Sequence, residues 1–246
     1  MENSKKKRLT IAIDGPSGAG KSTVGRLLAE RLGYTYIDTG AMYRAVALKT
    51  KEQAIPMEDE ETLYRWASSL HITFLVRGEE THVLCDGVDV TAAIRSPEIS
   101  LLASNISKRK GVRKALVQMQ REMGKDGGVV LEGRDIGTVV FPNAEVKFYL
   151  DADTEERARR RFEELTSKQS EVDFKETLRE VVERDRNDMN RPISPLKRAE
   201  DAVFIDSTHR SIKEVVEKMV HIVKLRDHRP SGRRLDRTSS GPVKRR

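Results

Sequence analysis

Residues 9–22 read LTIAIDGPSGAGKS. The first six are a short apolar run rich in β-branched side chains, the pattern of a parallel strand buried on both faces. The next eight, GPSGAGKS at 15–22, match G-x-x-x-x-G-K-[ST] at every fixed position. Val24, Leu27, Leu28 and Leu32 then recur at helical spacing, and Gly33 supplies a stop. Strand, glycine loop and helix, in that order, form the context in which this motif cradles phosphate. Glycines let successive backbone N–H groups turn inward as an anion nest, and the N-terminus of the following helix adds its dipole. On this reading Gly15, Pro16, Ser17, Gly18, Ala19, Gly20, Lys21, Ser22 and Thr23 line a nucleoside triphosphate site. Lys21 supplies a mobile cation for the β- and γ-phosphates. The Ser22 hydroxyl is placed to ligate Mg²⁺ together with water, and Asp14 at the strand end is a candidate to hold a metal-bound water.

Outward from this stretch the same alternation continues. YTYID (34–38) reads as a second strand and AMYRAVAL (41–48) as a helix. VVLEG (129–133), VKFYLDA (146–152) and AVFIDS (202–207) are further buried-strand patterns. Helical patterns lie between and after them, at 112–123, 154–166, 173–187 and 211–224, the middle two heavily charged. The expectation is an α/β fold, a doubly wound parallel sheet flanked by helices. Residues 60–106 break the rhythm. HITFLV and THVLCD alternate like antiparallel strands, and DGVDVT follows a DG turn signal. A small antiparallel domain, flanked by helices, is expected there. The predicted organisation is therefore a core at 9–59 and 107–225, with a lid at about 154–192, an inserted domain at 60–106, and disordered basic ends at 1–8 and 226–246.

The 246 residues carry a net charge of +7, with 37% hydrophobic and 35% charged residues. Residues 1–8 hold +3 and residues 225–246 hold +6, which leaves the body at −2. The basic balance belongs to the ends, so it gives no support for a nucleic-acid partner of the folded part. No apolar run approaches the roughly 18 residues of a membrane span, and the apolar run after the basic start is too short for a signal peptide. The reading is cytoplasmic. The lone Cys85 excludes an intrachain disulfide and a cysteine-based zinc cluster, and the five histidines lack metal-ligand spacing. No feature demands an oligomer, so a monomer is the default expectation.

A phosphate loop alone does not separate a kinase from a GTPase or a motor ATPase. The chain has neither an N-K-x-D guanine-reading motif nor an apolar strand ending in a D-x-x-G switch. It does have arginines in three motif-like segments, DTGAMYR (38–44), EGRDIGTVVFP (132–142) and RDRNDMNR (184–191). An enzyme that passes phosphate between two anions needs that surplus, and it must exclude water as a competing acceptor. Together with GPSGAGKS, these segments resemble the signature segments of the bacterial cytidylate kinase family, over residues 9–224. The resemblance implies a P-loop kinase with an inserted NMP-binding domain and a short helical lid, which phosphorylates CMP and dCMP with ATP and Mg²⁺.

It also implies roles. Thr39 falls where the family contacts the acceptor nucleotide, and Arg44 and Arg134 where it holds the acceptor phosphate. Ser104, Arg113 and Asp135 match the positions that read cytosine. Arg184, Asp188 and Arg191 match the lid, with Asp188 toward the acceptor sugar and the arginines on phosphates. Lys21, Arg184 and Arg191 are then the catalytic cations. The chemistry is consistent: a carboxylate suits the N4 amino donor of cytosine, and Arg and Ser suit its acceptors. At i, i+4 and i+7, Arg184, Asp188 and Arg191 are expected on one helical face. The sequence departs from the family at Glu132, where Asp is frequent, which leaves that carboxylate's part in ordering metal or water open. The alternatives at this point are a kinase of the same architecture for UMP or another small acceptor, and a nucleic-acid-linked ATPase. The arginines at 157 and 159–161 read mainly as a solvated helix face paired with neighbouring glutamates, with Arg157 a candidate for the ATP phosphate or base.

Overall fold

Along the chain, β1 (Thr10–Asp14), α1 (Lys21–Leu32), β2 (Thr35–Asp38) and α2 (Thr39–Glu52) come first. A middle section follows: α3 (Glu60–Ser69), β3 (Ile72–Arg77), β4 (Glu80–Cys85), β5 (Val88–Asp89), a 3-10 turn at Ala93–Arg95 and α4 (Pro97–Ile106). The rest is α5 (Lys110–Gly124), β6 (Val129–Gly133), a π-helical turn at Ile136–Val140, β7 (Val146–Asp151), α6 (Thr154–Ser167), α7 (Phe174–Asn190), β8 (Val203–Asp206) and α8 (Ile212–Asp227). The structure, a computed structural model, describes residues 8–78, 80–167 and 172–227. Of the ends expected to be disordered, 1–7 and 228–246 lie outside the described residues, while Arg226 and Asp227 complete α8.

Five strands form a parallel sheet in the order β2-β6-β1-β7-β8. β1 sits in the middle, and its alternation sorts the two faces. Ile11 and Ile13 pack with α1 and α8, while Ala12 packs with α2 and α5. Both isoleucines are fully buried, which accounts for the apolar run read from the sequence. From β1 the chain turns one way to β2 and β6 and the other way to β7 and β8. The carboxyl ends of the strands therefore open a crevice at β1, the place where open α/β sheets take ligands.

The middle section carries the expected antiparallel sheet, paired from Ile72↔Cys85 to Arg77↔Glu80 and then Cys85↔Val88. Asp86 and Gly87, at φ 52° and 80°, make the tight turn that the DG pair announces. Leu63, Ile72, Val83 and Ile106 of this section join one apolar cluster with Met42, Val46, Leu116 and Leu131 of the main body. The section is thus anchored on α2 and α5 by shared burial, with Trp66 half-buried at its margin.

Two local expectations are corrected. α2 starts at Thr39, and its cap is the Asp38 side chain, which accepts the Ala41 N–H at 2.8 Å. α7 ends at Asn190, so Arg191 does not share a helical face with Arg184 and Asp188. Its backbone is extended, at φ −61° and ψ 137°, because the ring of Pro192 disfavours helical geometry in the residue before it.

α3 and α5 cross closely at Gly111. A Cβ there would lie 2.1 Å from the Glu60 carbonyl oxygen and 2.8 Å from the Tyr64 nitrogen. The Gly111 N–H donates to Glu60 Oε2 at 2.7 Å. Gly111→Ala is expected to push the helices apart and lower stability by about 1–3 kcal/mol, read as a reduced midpoint in urea unfolding.

Candidate functional site

The loop after β1 is fixed by contact with β7. A Cβ on Gly15 would lie 1.9 Å from the Leu150 carbonyl oxygen, so only glycine fits. Gly20, at φ 88°, leads into α1, and no side chain caps that helix. Its first-turn N–H groups face the crevice as anion donors. Lys21 is buried, and its Nζ donates to the Pro16 carbonyl at 2.6 Å. Burial, then the nearby Arg134, push its pKa down to about 7, against the pull of Glu132, Asp188 and Asp14. Next to it the Ser22 hydroxyl lies near both Tyr36 and Glu132. Tyr36 Oη donates to Glu132 Oε1 at 2.5 Å. Burial raises the pKa of the Glu132 carboxyl, and the charge of Asp38 adds to this.

Opposite the loop stands a group of arginines. Arg44, on α2, pairs with Asp38 at 3.0 Å and keeps a buried Nε with no partner among the described residues. Arg134, just past β6, donates Nε to Asp188 of α7 at 2.7 Å. Arg184 makes no hydrogen bond or ion pair among the described residues. Burial lowers its pKa to about 10, and Arg134, Arg44 and Arg161 contribute while Asp188 opposes them. Deeper in, Arg113 of α5 pairs with Asp135, and Arg191 reaches the other oxygen of the same carboxylate at 3.4 Å. Arg113 Nη1 is buried and partnerless among the described residues. The Thr39 hydroxyl donates to the Glu132 carbonyl at 2.6 Å. A cleft of about 290 Å³ runs outward from Ser22, Asp38 and Arg44 to Phe74, Thr91 and Arg95 of the middle section.

A family profile described as cytidylate kinase matches residues 11–225. The chain belongs to that family. It is 56% identical over 216 residues to a cytidylate kinase of Geobacter sp. (strain M21), covering 88% of this chain and 93% of the relative. With a cytidylate kinase of Geobacter sulfurreducens (strain ATCC 51573 / DSM 12127 / PCA) it shares 51% over 232 residues, 94% of this chain and 100% of the relative. Among solved structures it is similar to a shikimate kinase from Acinetobacter baumannii in complex with shikimate, at 16% identity and a TM-score of 0.47, over 91% of this chain and 97% of the other.

The family's motif positions largely converge in this structure. Lys21, Ser22, Thr39, Arg44, Arg134, Arg184 and Asp188 gather at the carboxyl edge of the sheet, and Arg113, Asp135 and Arg191 form one ion-paired cluster. Ser104 lies half-buried on α4, with no hydrogen bond or ion pair to that cluster among the described residues. The two oxygens of Asp14 accept the Ile136 and Gly137 N–H groups, each at 2.7 Å, and so pin the π-helical turn to β1. Arg159 and Arg161 pair with neighbouring glutamates as a solvated face does. Arg157 departs from its neighbours. Buried, it binds Asp185 at 2.7 Å and donates to the carbonyls of Ala152 at 2.9 Å and Ser17 at 3.1 Å. It thereby links the phosphate loop to α7, a role that its charged sequence context hides.

The low pKa of Lys21 has a measurable consequence. In the free protein at pH 8 this amine is mostly neutral. A triphosphate against it restores the charged form, so binding takes up close to one proton at pH 8 and much less at pH 6, below the free-state value. Calorimetric titration with ATP in two buffers of different ionisation enthalpy reads that number directly.

Proposed function

We propose that this chain transfers the γ-phosphoryl group of ATP to CMP or dCMP, giving CDP or dCDP and ADP. The observation that carries the reading is Arg184, a half-buried guanidinium kept beside Arg134 and Arg44 without an ion pair of its own among the described residues. Such a cluster opposite a phosphate loop suits two anions held face to face. The uncapped start of α1 and Lys21 hold the donor's phosphates. Arg44 and Arg134 hold the acceptor phosphate, with Asp38 and Asp188 fixing their orientation. An acceptor phosphate oxygen attacks the γ-phosphorus, and the bond from that phosphorus to the β-bridging oxygen breaks, with the charge leaving on ADP. The acceptor is already an anion, so no protein base has to take a proton. Arg184 stabilises the transferring group as the lid shuts out water, and Arg191 joins it after release from Asp135.

The oxygen donors at Ser22 and Glu132 suit Mg²⁺. Ser22 would bind it directly and Glu132 through water, and it would neutralise charge on the donor phosphates. On the base side, Asp135 accepts from the exocyclic amine of cytosine, and the free Nη1 of Arg113 donates to a ring acceptor. Thr39 and Asp188 meet the acceptor sugar. The section from 60 to 106 forms the outer wall of the acceptor cleft. Among the described residues no helix is long and apolar enough to cross a membrane, and the cytoplasm is the compartment this reading assigns.

Coupled-enzyme rates with CMP, dCMP, UMP and AMP test the assignment. CMP and dCMP are expected to exceed UMP and AMP by about 100-fold or more in kcat/KM, since a carbonyl facing Asp135 leaves buried polar groups unpaired. Asp135→Ala is expected to cut the CMP rate and collapse the CMP/UMP ratio, with thermal unfolding run alongside to confirm the fold. Faster turnover of AMP than CMP overturns the reading.

A further inference from the structure

Tyr36 has no assigned part in the reaction, yet it lies against the end of the site that takes the metal. β2 and β6 run in parallel register, with Tyr36 opposite Val130 and Asp38 opposite Glu132. Alternation puts Tyr36, Asp38 and Glu132 on one face of the sheet, the face covered by α1. The ring is half-buried against that helix at Gly25, where a Cβ would lie 3.0 Å from Tyr36 Cε2. Gly25 is three residues after Ser22, so both stand on the side of α1 that meets the tyrosine. The close approach that glycine allows brings the phenol hydroxyl to Glu132 Oε1 at 2.5 Å and near the Ser22 hydroxyl. One carboxylate thus accepts a phenol hydroxyl from a sheet strand, with the Ser22 hydroxyl of the phosphate-loop helix close by.

We propose that Tyr36 is a positioning residue for the metal. By donating to Glu132 Oε1 it fixes the carboxylate's rotation and leaves the rest of its lone pairs to Ser22 and to water on the metal. Once Ser22 donates its hydrogen to Glu132, the lone pairs of its oxygen point away from the carboxylate, toward the donor phosphates. The length of the side chain at 132 belongs to the same device. An aspartate would withdraw the carboxylate by about 1.5 Å, one carbon–carbon bond, and part it from Tyr36. The inference rests on the phosphotransfer reading only in taking a Mg²⁺–nucleotide complex as the ligand.

The experiment measures ADP binding to the full-length chain by calorimetry, in EDTA and over a Mg²⁺ titration, for wild type, Tyr36→Phe, Glu132→Asp and the double variant. Phenylalanine keeps the ring against Gly25 and removes only the hydroxyl. Tyr36→Phe is expected to leave metal-free ADP binding within about twofold and to raise the Mg²⁺ concentration for half-maximal tightening by about tenfold. Glu132→Asp is expected to do the same, and the double variant to be no worse than either single one, because both cut one link. An unchanged Mg²⁺ midpoint in Tyr36→Phe, with or without a lower melting temperature, overturns the proposal, and so do fully additive effects. Wild-type turnover of CMP is measured in parallel. Absence of CDP with the Mg²⁺ effects present sinks the transfer reading alone; CDP formation with an unaltered Tyr36→Phe midpoint sinks this one alone.

Discussion

Positive charges that repel one another have to be held together in a partly dry crevice, and most of the architecture serves that requirement. Arg44, Arg134 and Arg113 each carry a carboxylate on one side, supplied by Asp38, Asp188 and Asp135. These partners lower the repulsion and orient the guanidinium groups, while Arg44 Nε and Arg113 Nη1 keep bonding capacity in reserve. Arg184 has no such partner among the described residues, and burial, then the nearby Arg134, hold its pKa below the usual arginine value. Removing a carboxylate from such a set would strand a buried cation, a change that commonly costs about 3–5 kcal/mol. The anionic partners are therefore as much part of the site as the cations they accompany.

Secondary structure contributes by bringing distant segments to one edge. β1 between β6 and β7 places the phosphate loop beside Glu132 and Arg134. Asp14 reaches across to the turn after β6 and fixes the backbone from which Asp135 projects. Arg157 fastens the phosphate loop to α7 through Ser17 and Asp185. The loop and α7 are thereby joined through one side chain without passing through the sheet.

The parts legible in the sequence were those governed by local rules. An apolar run, a glycine loop and a helical period identified β1, the phosphate loop and α1, and the alternation around the DG pair identified the small sheet. The site arginines came from family likeness and not from periodicity. What stayed hidden depends on pairing between distant segments. Tyr36 and Glu132 meet only because β2 lies beside β6, and nothing near either residue announces it. Arg157 stands apart in the sequence only as a candidate for ATP, and its pairing with Asp185 exists only once α7 folds over it. Gly111 shows no turn signal, since its absent side chain matters only where α3 crosses.

The ties from α7 and its end to the body are charged: Asp188 to Arg134, and Arg191 to Asp135. A seam of this kind trades its contacts for water or for phosphates one at a time, since each tie is an ion pair. The strength of that seam should therefore answer to dissolved electrolyte, whereas the apolar interior of the sheet answers to temperature. Temperature and ionic medium become separate handles on the same catalyst, one acting on the sheet's interior and the other on the ion pairs at α7.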